Sequence, residues 1–328
     1  MVKAVVIRQT GGPEVLQYTD ITVGAPGPGE IKLRQTAIGV NFIDTYHRTG
    51  LYPVAKNAEG FFVPGLEGVG TVSAVGAGVT SVKVGDRVAY GNGPIGGYAE
   101  ERLIPAEKVV KVPPQLKDEQ VAGMMLRGLT VWYLVRTLHQ LKAGETVLFH
   151  AAAGGVGLIF CQWARSIGAT VIGTVGSEDK AKLAKAAGCT HTILYKSEDW
   201  VKKVRELTGG KGVSVVYDGV GKDTFMGSLD CLAPRGIMVT FGNSSGPSPA
   251  IEPALLAAKG SIFLTRPRLA DYVSDPKDYA QACAELFDVV VKGVVKIDTV
   301  SSYGLAQAAH AHSDLEGRTT TGSTVLVV

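Results

Sequence analysis

The stretch that most constrains the fold runs from Glu145 to Val175. Thr146-Val147-Leu148-Phe149 is a short apolar run without alternation, the pattern of a parallel strand covered on both faces. A glycine-rich turn follows, Ala151-Ala152-Ala153-Gly154-Gly155-Val156-Gly157. Beyond it Val156, Ile159, Phe160, Trp163 and Ile167 recur at helical spacing, and Gly168 stands where a C-terminal cap belongs. Thr170 to Val175 is a second apolar run. Strand, turn, helix and strand make a βαβ unit, which commits this part of the chain to a parallel sheet.

The turn reads A-x-G-x-x-G, with Ala152 in the place of the first glycine of the dinucleotide fingerprint and Gly154 and Gly157 in the second and third. Gly154 lets the backbone approach a pyrophosphate, and Gly157 allows close packing of helix on strand. The free N–H groups at the helix start, over Ala153, Gly154, Gly155 and Val156, would hold the phosphates. A tight turn with no ligand is the alternative. Its place after a strand and before a helix favours the nucleotide.

NAD sites place an Asp or Glu about 20 residues beyond the turn, at the end of the second strand. Here the chain reads Val175-Gly176-Ser177, and the acids Glu178 and Asp179 come only afterwards. Ser177 is placed to cap the next helix, which puts Lys180 in its first turn. A cation there opposes the helix dipole, so it suggests a neighbouring anion, for which the 2′-phosphate of NADP is the candidate. A solvated lysine on an Ala/Lys-rich helix is the other reading. Glu178 and Asp179 would reverse the preference if the strand ran longer.

A chain of 328 residues can bury cores for two domains. A formal net charge of +3 is too small to predict binding to nucleic acid or a membrane surface. No signal peptide follows Met1 and no apolar run is long enough to span a bilayer, so a cytoplasmic protein is expected. Cys161, Cys189, Cys231 and Cys283 are widely spaced and form no C-x-x-C pair, which suits reduced core thiols.

The first third is β-rich, with strand candidates at Lys3–Ile7, Glu30–Arg34, Gly68–Val75 and Asp86–Tyr90 between Gly/Pro turns, as in a barrel-like domain. From Asp118 helical stretches take over, through Leu126 to His139. Further strands at 213–218, 236–242 and 261–265 extend the βαβ unit into a doubly wound sheet. The tail carries helical stretches at 279–292 and 306–315 and a closing strand at 323–328. The expected domains are therefore a β-rich one of residues 1–125 and 266–328 and a nucleotide-binding one of residues 126–265.

Several segments together resemble the medium-chain dehydrogenase/reductase superfamily. Thr10-Gly11-Gly12-Pro13-Glu14-Val15-Leu16, Gly39-Val40-Asn41-Phe42-Ile43-Asp44, Val216-Tyr217-Asp218-Gly219-Val220-Gly221 and Gly242-Asn243-Ser244-Ser245-Gly246 are similar to its zinc-independent, NADPH-dependent quinone oxidoreductases, the zeta-crystallin-like branch. The resemblance spans essentially the whole chain and implies a Rossmann domain beside a chaperonin-10-like catalytic domain. Zinc-dependent alcohol dehydrogenases of this superfamily carry a cysteine after Gly-Val and a G-H-E motif. Asn41 and Gly65-Leu66-Glu67 stand here instead, and no metal is expected.

The resemblance implies that Asn41, Tyr46 and Tyr52 line the nicotinamide side of the site, where Asn41 would hydrogen-bond cofactor or substrate. Either tyrosine would donate a proton to an acceptor oxygen, or simply wall the pocket. It places Thr130 under the nicotinamide, Gly176, Lys180 and Tyr195 around the adenosine phosphate, Phe241, Asn243 and Ser244 along the cofactor, and Arg318 at the far side. Arg266 is a weaker candidate, and Asp218 could order its turn instead of touching the cofactor.

Without a Lewis acid, hydride transfer needs an acceptor that is already electrophilic, so positioning carries the catalysis. A quinone fits, with an α,β-unsaturated carbonyl as the nearest alternative and a non-catalytic, RNA-associated NADPH-binding protein as the third. No basic stripe with interleaved aromatics supports the last. The apolar run Ser261–Thr265 is an expected sheet edge, which suggests a homodimer joined edge to edge unless the tail covers it.

Overall fold

The computed structural model describes residues 1–298 and 300–328. The chain falls into two compact units, Met1–Thr130 with Val273–Val291 and Ile297–Val328, and Val131–Tyr272 with Lys292–Lys296. Beside the ranges expected from sequence, both junctions lie later in the chain, and Lys292–Lys296 goes with the second unit.

The second unit is built on a six-stranded sheet in the order His191–Leu194, Thr170–Val175, Thr146–Phe149, Val213–Asp218, Leu232–Thr240, Phe263–Thr265, every neighbouring pair parallel. The sheet grows outward from Thr146–Phe149 in one direction and then from Val213–Asp218 in the other, so its winding reverses between these two strands. Their apolar runs are buried on both faces, which is why they show no alternation. His191–Leu194 was not singled out by the sequence: it is an edge strand in which only Ile193 is fully buried, so its apolar signal is weak.

The helix Gly155–Ile167 covers this sheet with Ile159, Phe160 and Trp163 and ends at Gly168, whose φ of 90° is the left-handed cap conformation. Phe160 stacks on Phe149 at 4.4 Å and meets Tyr217 at 4.8 Å. Each such side chain contributes about 1.5–3 kcal/mol by leaving water.

In the first unit the strand Glu30–Val40 is central. It runs farther than the expected Glu30–Arg34, and pairs antiparallel with Gly68–Val75, with Glu101–Pro105 and with Ser323–Val327. Register shifts near Lys32 and Gln35 mark irregularities of the kind that bend a strand, letting its two halves use different neighbours. The sheet continues through Arg87–Tyr90 to Val110–Lys111 on one side and to Val300–Gly304 on the other. The strand Val2–Ile7 forms a hairpin with Leu16–Ile21. Val5, Ile7, Ile38, Val40, Phe62 and Leu326 form one core, and Ile31, Leu33, Val72, Val88 and Ile104 another.

Phe42–Thr49 is a helix, which the sequence reading did not single out. Asn41 precedes it in extended conformation and Gly50 closes it at φ 82°, so a start signal and a stop signal are both present in the sequence. All four cysteines are buried and free. Among the described residues no helix is long and apolar enough to cross a membrane.

Gly70 lies beside the second irregularity, where a Cβ would stand 2.1 Å from the Arg34 carbonyl oxygen and 2.7 Å from Gln35 Cα. Both neighbours are backbone and cannot turn aside. Gly70→Ala is expected to lower the unfolding free energy in urea by about 2 kcal/mol or more, whereas Gly24→Ala, which meets nothing within 4 Å, should change it by less than about 0.5 kcal/mol. Equal effects would refute the close-approach argument.

Candidate active site

In the nucleotide-type unit, the loops at the C-terminal ends of the parallel strands carry most of the residues expected to bind a cofactor. The first is the glycine turn. Ala151 takes the left-handed conformation at φ 56°, Gly154 N–H bonds to the Ala151 carbonyl at 2.9 Å, and Gly154 is the N-cap of the helix. No side chain caps that helix, so its first N–H groups are left for a ligand. A Cβ on Gly157 would lie 2.5 Å from the Ala151 oxygen and 2.6 Å from the Ala152 oxygen, so the helix rests directly on the turn. Ala153, Gly154, Gly155 and Val156 thus lie together at the helix start, where the Gly154 N–H is taken by the Ala151 carbonyl and the N–H groups beside it are of the kind that suit a phosphate pair.

The second loop follows Thr170–Val175. The strand stops at Val175, so Glu178 and Asp179 are not at its end but open the helix Glu178–Ala186. Ser177 caps that helix by accepting from Lys180 N–H at 3.3 Å, and Lys180 lies in its first turn. Tyr195, just after the edge strand, places its hydroxyl 3.0 Å from where a Cβ on Gly176 would stand. Gly176, Ser177, Lys180 and Tyr195 are therefore neighbours.

The third loop pair follows the other two central strands. Asp218 Oδ1 accepts from Val220 N–H at 2.7 Å and Gly221 N–H at 3.1 Å, and Thr224 also donates to this carboxylate, so Asp218 orders its turn. Phe241 packs 5.9 Å from Phe149, and Ser244 N–H bonds to the Gly219 carbonyl at 3.3 Å, which joins the Phe241-to-Ser244 loop, Asn243 included, to the neighbouring turn. Arg266 donates to the Thr240 and Gly242 carbonyls at 2.7 and 3.3 Å and braces the same loop. These loops meet where the winding reverses, the place at which open α/β sheets bind ligands.

In the β-rich unit, Asn41, Tyr46 and Tyr52 come together around one helix. Tyr46 and Tyr52 rings meet edge to face at 5.2 Å, and Tyr52 N–H bonds to the Tyr46 carbonyl at 3.0 Å. Asn41 is buried, and its Nδ2 donates to Glu67 Oε1 at 2.6 Å. Glu67 Oε1 also faces Arg127 Nη1 at 3.3 Å, and Oε2 accepts from Leu126 N–H at 2.6 Å. Burial pushes the Glu67 carboxyl up, and Arg127, Asn41 and the Leu126 N–H oppose that shift. Every group facing its oxygens is a donor, so the geometry accommodates the carboxylate. Zinc does not suit this pair: Asn41 offers an amide and Glu67 a carboxylate already paired with a guanidinium, and neither is a thiolate or an imidazole. Among the described residues no group of three or more His, Cys, Asp or Glu could hold a metal ion.

Thr130 hydroxyl donates to the Leu126 carbonyl at 2.8 Å, within its own helix. Arg318 is exposed at φ 58°, just past the helix Ala308–Glu316.

The sequence reading missed a buried polar chain behind the Asn41 helix. Arg48 donates to His312 Nδ1 at 3.2 Å and to Glu316 at 2.7 Å. An arginine only donates, so His312 carries its proton on Nε2 and gives it to Tyr98 Oη at 2.9 Å, and Tyr98 donates to Asp44 Oδ2 at 3.0 Å. Burial and the adjacent Arg48 push His312 down to about 3, so it is neutral. Asp44 also accepts from Asn41 N–H at 2.8 Å.

Burial pushes Asp44 up to about 7 against the hydrogen bonds from Asn41 and Tyr98, and its Oδ1 has no partner among the described residues. The folded protein thus holds this proton at pH values where the unfolded chain has lost it. The Asp44 contribution to stability is full below about pH 4 and falls as pH rises toward 7. Asp44→Asn should flatten the decline of urea-unfolding free energy over that window relative to the unsubstituted chain, and identical slopes would refute the assignment.

Residues 27–114 match the family described as "Alcohol dehydrogenase GroES-like domain", and residues 155–281 match "Zinc-binding dehydrogenase". The chain is 50% identical to a quinone oxidoreductase of Pseudomonas aeruginosa over the full length of both. It is 48% identical to a 2-haloacrylate reductase of a Burkholderia species, over 100% of this chain and 99% of that one. Among solved structures, the Escherichia coli quinone oxidoreductase complexed with NADPH superposes with a TM-score of 0.97 at 46% identity, over 99% of this chain and 100% of that one. With this identity over its whole length, the chain belongs to the quinone oxidoreductase family of the medium-chain dehydrogenase/reductase superfamily.

Proposed function

We propose that this protein is a zinc-independent reductase that uses NADPH to reduce quinones. The observation that carries the reading is full-length identity of 46–50% to quinone oxidoreductases, one of which was crystallised with NADPH. NADPH, when bound, supplies a hydride. The uncapped helix start at Gly155 neutralises its pyrophosphate through N–H groups, and Lys180 pairs with the 2′-phosphate, beside Ser177, Gly176 and the Tyr195 hydroxyl. Phe241, Asn243 and Ser244 line the cofactor. Thr130 and Asn41 would hold the reacting end, and Arg318 would close the far side of the site. The Tyr46 or Tyr52 hydroxyl hands a proton to the acceptor oxygen, unless water does so. No Lewis acid is needed, because a quinone is electrophilic enough to take hydride when correctly placed.

A second reading, reduction of an α,β-unsaturated carbonyl, is favoured by the 48% identity to a 2-haloacrylate reductase. Both acceptors are activated alkenes conjugated to a carbonyl, and the same residues serve either. Comparing kcat/KM for a small quinone and an alkenal at fixed NADPH ranks them.

The buried, free cysteines suit a reducing compartment such as the cytoplasm. The edge strand Phe263–Thr265 has Phe263 62% exposed and only one sheet neighbour. Pairing of this edge in a homodimer would cover it, and a monomer by sedimentation equilibrium at micromolar concentration would refute that.

The first test is oxidation of NADPH and of NADH by the chelator-treated protein with a small quinone. Turnover preferring NADPH supports the reading, and failure to bind either nucleotide overturns it. Lys180→Ala should weaken NADPH about tenfold to a hundredfold, the worth of a hydrogen bond to a charged group, while NADH changes by less than about twofold. Equal losses would mean that Lys180 does not read the 2′-phosphate.

A further inference from the structure

The Glu67 carboxylate has no freedom to move. A Cβ on Gly39 would lie 2.0 Å from Glu67 Oε1, so the side chain rests against the backbone of a central strand, and its oxygens are held by Leu126 N–H, Arg127 and Asn41. A carboxylate accepts and does not donate, so the Asn41 atom facing it is the amide nitrogen. The Asp44 N–H bonds to the Asn41 backbone carbonyl at 3.0 Å, and among the described residues the one side-chain hydrogen bond of Asn41 is the one its Nδ2 gives to Glu67. The amide oxygen is therefore the end left for a ligand.

We propose that Glu67 is a positioning residue that sets the polarity of the Asn41 amide, so that Asn41 presents Oδ1 to an N–H or O–H donor of the bound nicotinamide riboside and not an N–H to the electron acceptor. This rests on the reading that Asn41 lines the site of an NADPH-dependent reductase. Asn41 then orients the hydride donor and gives no hydrogen bond to the oxygen on which charge develops. That bond comes from a tyrosine hydroxyl or water.

The test is the charge-conserving swap Asn41→Asp/Glu67→Gln in the full chain, beside Glu67→Gln and Asn41→Ala. The new amide at position 67 can donate to the new carboxylate at position 41, which still offers an acceptor to the ligand. NADPH affinity is read by nicotinamide fluorescence without acceptor, kcat with a small quinone, and folding by thermal midpoint. Glu67→Gln, which frees the amide to turn, should weaken NADPH about fivefold or more, and the swap should return affinity to within about threefold while keeping kcat within about tenfold. A swap that binds NADPH normally yet loses about a hundredfold in kcat would make Asn41 a donor to the acceptor and overturn the proposal. So would unchanged affinity in a folded Glu67→Gln. If that variant fails to fold, the comparison of the swap with the unsubstituted chain still decides. Asn41→Ala with affinity and kcat both unchanged would instead remove Asn41 from the site, and failure of the unsubstituted chain to bind NADPH would remove the functional reading itself. The reduced 3-acetylpyridine analogue, which lacks the carboxamide N–H, separates the two donor sources. Asn41→Ala should weaken NADPH alone if the carboxamide donates, and both nucleotides equally if a ribose hydroxyl does.

Discussion

One buried ion pair organises the β-rich unit around its chemistry. Glu67 precedes the strand Gly68–Val75, Asn41 follows Glu30–Val40, and Leu126 and Arg127 open the helix Met125–Tyr133. The Arg127 guanidinium also donates to the Val40 and Gly123 carbonyls. Three segments distant in sequence thus meet at one carboxylate. Such a pair is a poor source of net stability, since desolvation offsets much of the attraction, but removing one partner costs about 3–5 kcal/mol. Its value is geometric: a charge that must be satisfied fixes its neighbours more narrowly than apolar packing does.

A second buried polar chain stiffens the same helix from behind. Arg48, His312, Tyr98 and Asp44 donate in one direction, each to the next, and a neutral imidazole between two donors and acceptors has only one workable tautomer. The chain ties Phe42–Thr49 to Ala308–Glu316, whose exposed end leads to Arg318. Residues proposed to touch the substrate are in this way borne on an element whose position is set by groups that never reach it.

Legibility in the sequence followed the physics of each element. The strands at 146–149, 170–175 and 213–218 were read with their bounds because strands buried on both faces leave an unbroken apolar run. Helix starts announced by a cap, as at Ser177, were read as well. The edge strands His191–Leu194 and Val300–Gly304 were not, since half-exposed residues carry little periodic signal. The helix that bears Tyr46 was not read either, because it is short and polar on one side. Glu67 was noted only as part of Gly65-Leu66-Glu67, the segment that stands where zinc-dependent relatives carry G-H-E. That a buried acid needs a buried cation is plain, but which of 33 Lys and Arg residues supplies it is a question of tertiary structure.

The strand Ser323–Val327 lies between Glu30–Val40 and Val300–Gly304 in the β-rich sheet. During synthesis, then, the half of Glu30–Val40 nearest Asn41 keeps an open flank until nearly 300 further residues have been made, whereas all six strands of the parallel sheet emerge before it can be covered. The order of assembly is thereby built into the chain. The unit that begins first finishes last, and one flank of its central strand spends the interval as an open edge that other chains could join.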